Sequence, residues 1–340
     1  MTANYSVVIS VDRPDKKLLS LQSLSRLSAA EKPAEVFLCV GRNPSLQRNI
    51  GISLCRAPLV YFLDDDSFVN SDTPSQLLRH FNSPRTAVAG GPNLAFPDAS
   101  TFEKTVSAVL ASWMGSFKVR NRYASLGSVK EATEKDLILC NLMVRRETFQ
   151  KMGGFRTDLY PNEENEFLNR LMHGGAQLIY DPQAVIYRPR RKNILEFCRQ
   201  AFRYGQGRAR QIKVYPCLSD AVHLVPAFFM FYVISLILSG FHLMPSFSAT
   251  WIWWLPFDLF AALCLGTAFS ALSWHRNLLD LFAVPALIFI RQFLYGVGLL
   301  SGFATASAKR PQQPVTCYEV RWKGKDYQLT PRKPKAERKK

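Results

Sequence analysis

Short apolar runs and amphipathic stretches alternate along the first part of the chain. Residues 5–11, 35–40 and 59–63 are runs of apolar or β-branched residues with the length of buried strands. Residues 16–27 and 46–55 lie between them and carry apolar residues at helical spacing. Strands that alternate with helices indicate a mainly parallel sheet, whose ligands bind beyond the carboxyl ends of the strands.

A second alternating section follows. Residues 137–144 are predicted to form a strand, and residues 147–152 and 162–174 two helices that end at glycine pairs. Residues 178–180 and 184–187 are predicted to form two short strands. The two sections together predict one α/β domain.

Charged residues almost disappear after residue 220. Residues 221–240 and 251–271 are each long enough to cross a bilayer as an apolar helix. A third apolar stretch, residues 281–304, contains Pro285 and a central Arg291, and an arginine at the middle of a membrane costs about 2.5 kcal/mol or more. We therefore predict two spans plus a re-entrant or interfacial helix, with three spans as the alternative.

The net charge of +17 is concentrated on both sides of this apolar region. Residues 188–213 carry nine basic residues and one acidic residue, and residues 309–340 carry eleven basic and three acidic residues. Basic clusters beside membrane spans are typical of the cytoplasmic side and attract anionic lipids, so we predict such a membrane as a partner, and no nucleic acid. The chain then divides into a soluble domain at 1–187, basic interfacial helices at 188–220, a membrane region at 221–308 and a basic tail at 309–340.

The cysteines and the N-terminus bear on the compartment. The seven cysteines are odd in number and show no CxxC spacing, which argues against a disulfide framework or a zinc site and favours a reducing compartment. The first residues lack the charged start and long apolar core of a signal peptide. We therefore expect the soluble domain to lie in the cytoplasm.

Three consecutive carboxylates, Asp64, Asp65 and Asp66, follow the third predicted strand. Adjacent carboxylates repel each other unless a cation lies among them. Mg²⁺ or Mn²⁺, held by one or two carboxylates and by substrate phosphates, is the natural occupant. A solvated acidic turn is the alternative, and the triplet alone does not decide between the two.

Four blocks of sequence stand around this triplet in a specific order. They are a strand and turn at residues 6–14, a helix and strand at residues 47–66, a segment at residues 141–155 and the start of a helix at residues 162–170. In this order they resemble the family-two glycosyltransferases of the GT-A fold: the opening strand, the RN.G helix with the DxD strand, the acceptor-side segment and the GED.DL..R helix. The order is more specific than any single block.

This resemblance implies a GT-A nucleotide-sugar-binding α/β fold with a mainly parallel central sheet, followed by C-terminal transmembrane helices. It also implies a divalent cation, Mg²⁺ or Mn²⁺, on Asp64 and Asp66, with Asp66 as the more direct ligand. By the same resemblance, the nucleotide-sugar donor is bound by Asp12, Arg13, Arg48, Asn49, Asp64, Asp65 and Asn141.

The resemblance further implies a general base at the start of the fourth block. Glu164 stands where the family has its catalytic aspartate, which deprotonates the acceptor hydroxyl. Glu163 and Glu166 lie beside it, and on a helix Glu164 points about 100° away from Glu163, so the assignment among the three stays open. An acidic first turn that complements the helix dipole is the alternative.

Gln200, Arg203 and Tyr204 resemble the QxxRW segment of related synthases, with tyrosine in place of tryptophan. They are predicted to meet the diphosphate or a lipid phosphate, since arginine binds phosphate in a bidentate manner. An interfacial helix that binds lipid headgroups is the alternative. The chain departs from the family by having no carboxylate at residues 40–44, after the second strand, so UDP, the commonest family choice, is expected but GDP stays open.

Taken together, these features predict an inverting, metal-dependent glycosyltransferase of the hexosyltransferase type at the inner membrane, with its catalytic domain in the cytoplasm. The expected acceptor is lipid-linked or delivered by the membrane, in the biosynthesis of a surface polysaccharide. The alternatives are a processive polysaccharide synthase, which usually has more spans, and a catalytically inactive GT-A scaffold at the membrane.

Overall fold

The computed structural model describes residues 3–13, 18–214, 216, 218–240, 250–305, 314–324 and 326–333. The chain forms two compact units. The first, here called the sheet unit, comprises Met1–Phe96, Asn121–Pro189 and Lys309–Lys340. The second, the helical unit, comprises Pro97–Arg120 and Arg190–Ala308.

The described residues contain twelve strands, all in the sheet unit: β1 (Ala3–Val11), β2 (Pro33–Val40), β3 (Leu59–Asp64), β4 (Phe68–Val69), β5 (Thr86–Gly90), β6 (Asn93–Leu94), β7 (Lys130–Glu131), β8 (Asn141–Arg145), β9 (Gln177–Tyr180), β10 (Ile186–Tyr187), β11 (Thr316–Lys323) and β12 (Asp326–Arg332). They contain eleven α-helices: α1 (Leu19–Ser25), α2 (Pro44–Leu54), α3 (Thr73–Leu78), α4 (Thr101–Ala111), α5 (Trp113–Ser116), α6 (Arg146–Lys151), α7 (Glu163–His173), α8 (Ile194–Val214), α9 (Val225–Gly240), α10 (Thr250–His275) and α11 (Asp280–Ala304).

The strands form two sheets. The larger has nine strands in the order β12-β11-β2-β1-β3-β8-β5-β9-β7, and the smaller has three in the order β4-β10-β6. In the larger sheet β1 runs parallel to β2 and β3, and β5 runs parallel to β9. The predicted α/β class is confirmed. The larger sheet is mixed and not mainly parallel as predicted, because β8 lies antiparallel between β3 and β5 and the C-terminal strands add antiparallel to β2.

The larger sheet has a hydrophobic core on each face. Side chains alternate between the faces along a strand, so Val7 and Ile9 of β1 pack with Leu21 of α1, and Val8 packs with Ile52 of α2. Both faces of the central strands are therefore covered, which explains why these strands are continuous apolar runs in the sequence.

The C-terminal segment differs from the predicted basic tail. Its strands β11 and β12 form an antiparallel hairpin, and β11 pairs with β2, so this segment extends the larger sheet. Cys317 and Cys39 are register partners in the β11–β2 pair and form a disulfide. The prediction against a disulfide framework missed this one pair because the cysteines lie 278 positions apart, and only the register of the two strands brings them together. The cysteines therefore do not support the predicted reducing compartment.

The described residues of the helical unit contain three helices long and apolar enough to cross a membrane, at Ala221–Ser239, Ile252–Ser273 and Asp280–Ala304. The third is continuous through Pro285 and Arg291. The preference for two spans rested on the cost of Arg291 inside a membrane and on a cytoplasmic basic tail. The described residues contain three candidates by length and composition, so the number of crossings stays a prediction. Two polar side chains of α11 have partners inside the unit: Thr105 Oγ1 donates to Asp280 Oδ1 (2.5 Å) and Gln292 Nε2 donates to Met114 O (2.8 Å).

The predicted basic interfacial segment is mainly one long helix, α8, which packs closely on α11 through glycines. A Cβ atom at Gly298 would lie 2.1 Å from Phe202 O, and one at Gly205 would lie 2.2 Å from Tyr295 O. Such backbone contact between helices requires small residues. At the end of α8, Lys213 Nζ donates to three carbonyl oxygens at the end of α11, including Phe303 O (2.7 Å), and so caps that helix.

Candidate active site

Acidic and basic side chains from four elements of the sheet unit meet beyond the carboxyl end of β3. Asp64 is the last residue of β3, and Asp66 lies in the turn that follows. Glu163 begins α7, Arg48 lies in α2, and Arg188 follows directly after β10. Ion pairs join Arg48 to Glu163, 115 positions away, and Arg188 to Asp66, 122 positions away. We call these five residues the ionic cluster.

Helix α2 positions Arg48 within the ionic cluster. Its first turn is capped by the Asn43 side chain, which accepts from Leu46 N (3.2 Å). A Cβ atom at Gly51 would lie 2.5 Å from Val8 Cγ1, so a glycine there allows α2 to pack closely on β1. The face of α2 that carries Arg48 is consequently turned into the protein.

Arg48 is a buried support for two carboxylates. Its side chain is only 5% exposed, and it donates from Nη2 to Asp64 Oδ1 (2.7 Å) and from Nη1 to Glu163 Oε1 (3.0 Å). Removing one partner of such a buried pair leaves an uncompensated charge in the interior. The structure therefore gives Arg48 a positioning role below the site, and the predicted contact with the donor stays a prediction.

Arg188 holds Asp64, together with Asp66, from the outer side. Nη1 lies 2.8 Å from Asp64 Oδ2, Nε donates to Asp66 Oδ1 (2.6 Å), and the backbone N–H donates to Leu94 O (2.8 Å). The sequence analysis missed this residue because it counted Arg188 among the basic residues before the membrane. A usable signal was present, since Arg188 directly follows the predicted strand at residues 184–187 and so lies at a strand end, as the aspartate triplet does.

The carboxylates of the ionic cluster have shifted pKa values. Burial opposes ionisation of Asp64, but the charges of Arg188 and Arg48 outweigh it and lower its pKa. Burial, with the nearby charges of Asp64 and Asp65, raises the pKa of Asp66 in spite of Arg188. Burial and the neighbouring Glu164 raise the pKa of Glu163 to about 7, although Arg48 acts in the opposite direction.

The three candidate bases at the start of α7 have different surroundings. Glu166 is buried and accepts from Arg170 Nε and Nη2 (both 2.8 Å), and Arg170 also donates to Met152 O and Gly154 O. Glu163 is buried on Arg48. Glu164 is 12% exposed and lies 3.6 Å from Arg122 Nη1. Of the three, Glu164 has the longest ion pair and the most exposed carboxylate.

Arg122 is a second residue that the sequence analysis missed. Its guanidinium donates to Asn165 Oδ1 (2.5 Å), Lys135 O (3.1 Å) and Glu134 O. It thereby attaches the segment around residue 135 to the first turn of α7, next to Glu164. The local sequence around Arg122 carries no motif that would have indicated this role.

Two predicted donor ligands have structural tasks instead. Asn141 is fully buried; it accepts from Tyr61 Oη (2.6 Å) and donates to Pro92 O (3.1 Å) and Ala184 O (2.7 Å). Because protein groups use both ends of this buried amide, Asn141 joins strands behind the site, and its assignment to the donor is corrected. Asn49 is bonded to the backbone of Phe155 at both ends of its amide (2.7 and 2.9 Å), which fixes the acceptor-side segment against α2.

The remaining predicted donor residues lie at the same edge of the sheet. Ser10 of β1 is the register partner of Asp64, so Asp12 and Arg13, both exposed, follow β1 at the edge where the triplet lies. Asp65 is half-buried, and its carbonyl oxygen accepts from Ser20 N (3.3 Å). Their contact with a nucleotide stays a prediction.

The QxxRW-like residues lie on α8 in the helical unit. Gln200 Nε2 donates to Tyr204 Oη (3.1 Å), one helical turn away, and the Arg203 side chain is exposed. An exposed arginine on a basic helix suits either a diphosphate or a lipid phosphate, so both predicted ligands stay open.

The carboxylates suit a divalent cation that shares its coordination with a substrate. Within the described ranges, no group of three or more His, Cys, Asp or Glu residues could hold a metal by itself. Magnesium-type sites commonly use only one or two carboxylates and complete the shell with phosphate oxygens. Asp66 is 35% exposed and fits this arrangement, with Asp64 beside it.

The sequence model described as glycosyl transferase family group 2 matches residues 59–273, a region that begins at β3 and contains α7 and α8. The chain belongs to this family. The glycosyltransferase assignment and the family-two resemblance are thereby confirmed.

Two curated proteins are similar to parts of this glycosyltransferase. The pre-mycofactocin glycosyltransferase of Mycobacterium tuberculosis is 24% identical over 165 residues, which is 48% of this chain and 34% of that protein. The succinoglycan biosynthesis protein ExoA of Rhizobium meliloti is 27% identical over 182 residues, 52% of this chain and 50% of that protein. The glycosyltransferase thus matches between a third and a half of the length of these relatives.

A solved structure supports the fold. The mannosyltransferase PcManGT from Pyrobaculum calidifontis, in complex with GDP-Man and Mn²⁺, superposes with a TM-score of 0.54 over 84% of this chain and 87% of its own. At 14% sequence identity this likeness concerns the fold alone. It confirms the predicted GT-A type of fold for this glycosyltransferase.

Proposed function

We propose that this glycosyltransferase inverts the anomeric centre of a hexose as it moves the sugar from a nucleotide-diphosphate donor to a lipid-linked or membrane-delivered acceptor. The observation that carries the proposal is the ionic cluster at the carboxyl end of β3, with Glu164 beside it, in a chain of this family. Such a transfer needs carboxylates that hold a metal ion, positive side chains that hold the phosphates, and a separate base.

The donor is proposed to bind at the edge of the sheet formed by the ends of β1 and β3. Asp12, Arg13 and Asp65 would contact the nucleotide, and Asp66 with Asp64 would hold Mg²⁺ or Mn²⁺. When bound, the cation supplies positive charge against the negative charge that develops on the departing diphosphate. Arg188 adds a second positive charge at the same place. The GDP-Man complex of PcManGT supports a nucleotide-sugar donor, and the choice between UDP and GDP is left to the experiment below.

The base is proposed to be Glu164. Its carboxylate takes the proton of the acceptor hydroxyl as the oxygen attacks the anomeric carbon, while the bond to the diphosphate breaks and its electron pair leaves with the nucleotide. Arg122, 3.6 Å from Glu164, orients the carboxylate without engaging it in a short hydrogen bond. Glu166 is already engaged by Arg170 and Glu163 by Arg48, so neither is as available to an acceptor.

The acceptor is proposed to come from the membrane. Candidate spans with basic clusters on both sides of them in the sequence support attachment to the inner membrane, with the sheet unit on the cytoplasmic side. Because β11 pairs with β2 in the sheet unit, both ends of the membrane region lie on that side, so we propose that two of the three apolar helices cross. The match to a protein named for succinoglycan biosynthesis supports a surface glycan as the product. Arg203 on α8 would meet a lipid phosphate at the membrane surface.

The test is a calorimetric titration of UDP and of GDP into the detergent-purified full chain, with and without Mn²⁺. We expect one nucleotide to bind in a metal-dependent manner, and Asp66→Ala to lose that binding. Asp158→Ala is the matched control, because it removes an aspartate of the sheet unit that pairs with Arg156 outside the ionic cluster. Absence of binding by both nucleotides with Mn²⁺ present would contradict the proposed function and favour a scaffold that binds lipid.

A further inference from the structure

Two arginines hold Asp64 from opposite oxygens, and they differ in their freedom to move. Arg48 binds Oδ1 and is only 5% exposed, with its second partner, Glu163, also buried. Arg188 binds Oδ2 and is 26% exposed. Arg48 is therefore a permanent part of the interior, whereas the Arg188 side chain can change partners through its own torsions while its backbone stays bonded to Leu94 O.

Arg188 also lies between two carboxylates whose charges need to be neutralised. Its guanidinium spans Asp64 Oδ2 (2.8 Å) and Asp66 Oδ1 (2.6 Å), and so neutralises two carboxylates that would otherwise repel each other. These are the same two carboxylates that suit a divalent cation. A guanidinium and a metal ion cannot both use Asp66 Oδ1 without strong repulsion between their charges.

We propose that Arg188 is an exchangeable counter-ion: it holds Asp66 in the donor-free enzyme and passes to the donor diphosphate when a divalent cation takes Asp66. This inference rests on the proposed function, because it requires a diphosphate donor at the ionic cluster. The planar guanidinium suits the new partner, since it binds two phosphate oxygens as readily as two carboxylate oxygens. The positive charge is retained at the site in both states, and only its partner changes.

This exchange predicts that Arg188 weakens binding of the divalent cation and strengthens binding of the nucleotide. Without a donor, Arg188 competes with the cation for Asp66 and weakens its binding. With the donor present, Arg188 binds the diphosphate and strengthens nucleotide binding. Cation and donor therefore bind cooperatively, and each raises the affinity for the other by the same factor. The enzyme holds the cation tightly only when a donor has arrived.

The experiment compares Arg188→Gln with the wild-type full chain in detergent. Free Mn²⁺ is followed by electron paramagnetic resonance during a titration without nucleotide, and UDP and GDP are then titrated calorimetrically at saturating Mn²⁺. We expect Arg188→Gln to bind Mn²⁺ about tenfold more tightly and the nucleotide about tenfold more weakly, as the loss of one charge-assisted contact implies. A residue that only stabilised the fold would lower both affinities or neither.

Two further variants make the result specific. Arg79→Gln removes an arginine that pairs with the buried carboxylate of Asp181 (2.7 Å) in the same unit, and it should change neither affinity. Arg188→Lys keeps the charge but cannot span both carboxylates, so it should shift both affinities in the same directions as Arg188→Gln, by a smaller factor; this variant decides the matter if Arg188→Gln fails to fold.

Each half of the proposal can fail separately. An unchanged or weaker Mn²⁺ affinity in Arg188→Gln would overturn the competition for Asp66. An unchanged nucleotide affinity would overturn the transfer to the diphosphate. Failure of the wild-type chain to bind either nucleotide would instead contradict the proposed function, and the Mn²⁺ titration would still show whether Arg188 opposes the cation.

Discussion

Arg48 Nη1 lies 3.0 Å from Glu163 Oε1 in the interior of the sheet unit. The same guanidinium holds Asp64 at 2.7 Å, so one buried side chain connects the end of β3, the middle of α2 and the start of α7. Asp64 marks the proposed donor side of the site, and Glu163 precedes the proposed base. Arg48 thereby connects the two halves of the proposed site through one buried side chain.

Replacing Arg48 should therefore be severe. Arg48→Gln leaves the carboxylates of Asp64 and Glu163 without their buried counter-charge, and we expect a loss of roughly 3–5 kcal/mol in the free energy of unfolding. Denaturant unfolding of the detergent-purified chain measures this loss. Arg56→Gln is the control, since Arg56 is an arginine 81% exposed on the buried Glu35. Equal losses of unfolding free energy in the two variants would show that the burial of Arg48 does not increase its contribution to stability.

The activity of two adjacent glutamate variants should separate the base from its neighbours. Glu164→Gln is expected to lower the rate of sugar transfer by about 10²–10⁴-fold, because the variant cannot accept the acceptor proton, while nucleotide affinity stays unchanged. Glu166→Gln weakens the contact with Arg170 and should lower thermal stability with a much smaller effect on the transfer rate. Full activity of Glu164→Gln would move the base to Glu163 or Glu166.

Stability should depend on pH through Glu163. Its pKa is raised by burial and by Glu164 from 4.5 to about 7, so between these pH values the folded protein keeps a proton that the unfolded chain has released. Stability from this group therefore falls as pH rises through that range, by on the order of 3 kcal/mol in total. Glu163→Gln cannot titrate, so its unfolding free energy should improve relative to wild type between about pH 5 and about pH 8. If the unfolding free energies of Glu163→Gln and wild type differed by a constant amount over this pH range, the raised pKa of Glu163 would be contradicted.

The packing of α8 on α11 can be tested with two glycine variants. Alanine is intrinsically better than glycine in a helix by about 1 kcal/mol, so Gly266→Ala, which meets no atom within 4 Å, should be neutral or stabilising. Gly298→Ala places its Cβ 2.1 Å from Phe202 O and must separate the helices, at a cost of roughly 1–3 kcal/mol. Thermal unfolding in detergent compares the two, and a stabilised Gly298→Ala would contradict the close packing.

Local sequence was sufficient for much of the fold. The strands around residues 5–11, 35–40 and 59–63 are apolar on both faces because helices cover both sides of the sheet, and this is visible in the sequence alone. The triplet at Asp64–Asp66 was placed correctly at a strand end, because the apolar run of β3 stops there. The order of four motifs gave the family, which the match over residues 59–273 confirms.

The α/β class, the apolar spans and the family were thus determined by the sequence itself, because each depends on residues that are neighbours in the chain or on a repeating pattern. The tertiary structure alone decided which distant side chains meet: the ion pairs of Arg188 with Asp66 and of Arg48 with Glu163, and the disulfide of Cys39 with Cys317. These partners are more than a hundred positions apart. Strand register and helix packing bring them together, and neither leaves a periodic trace in the sequence.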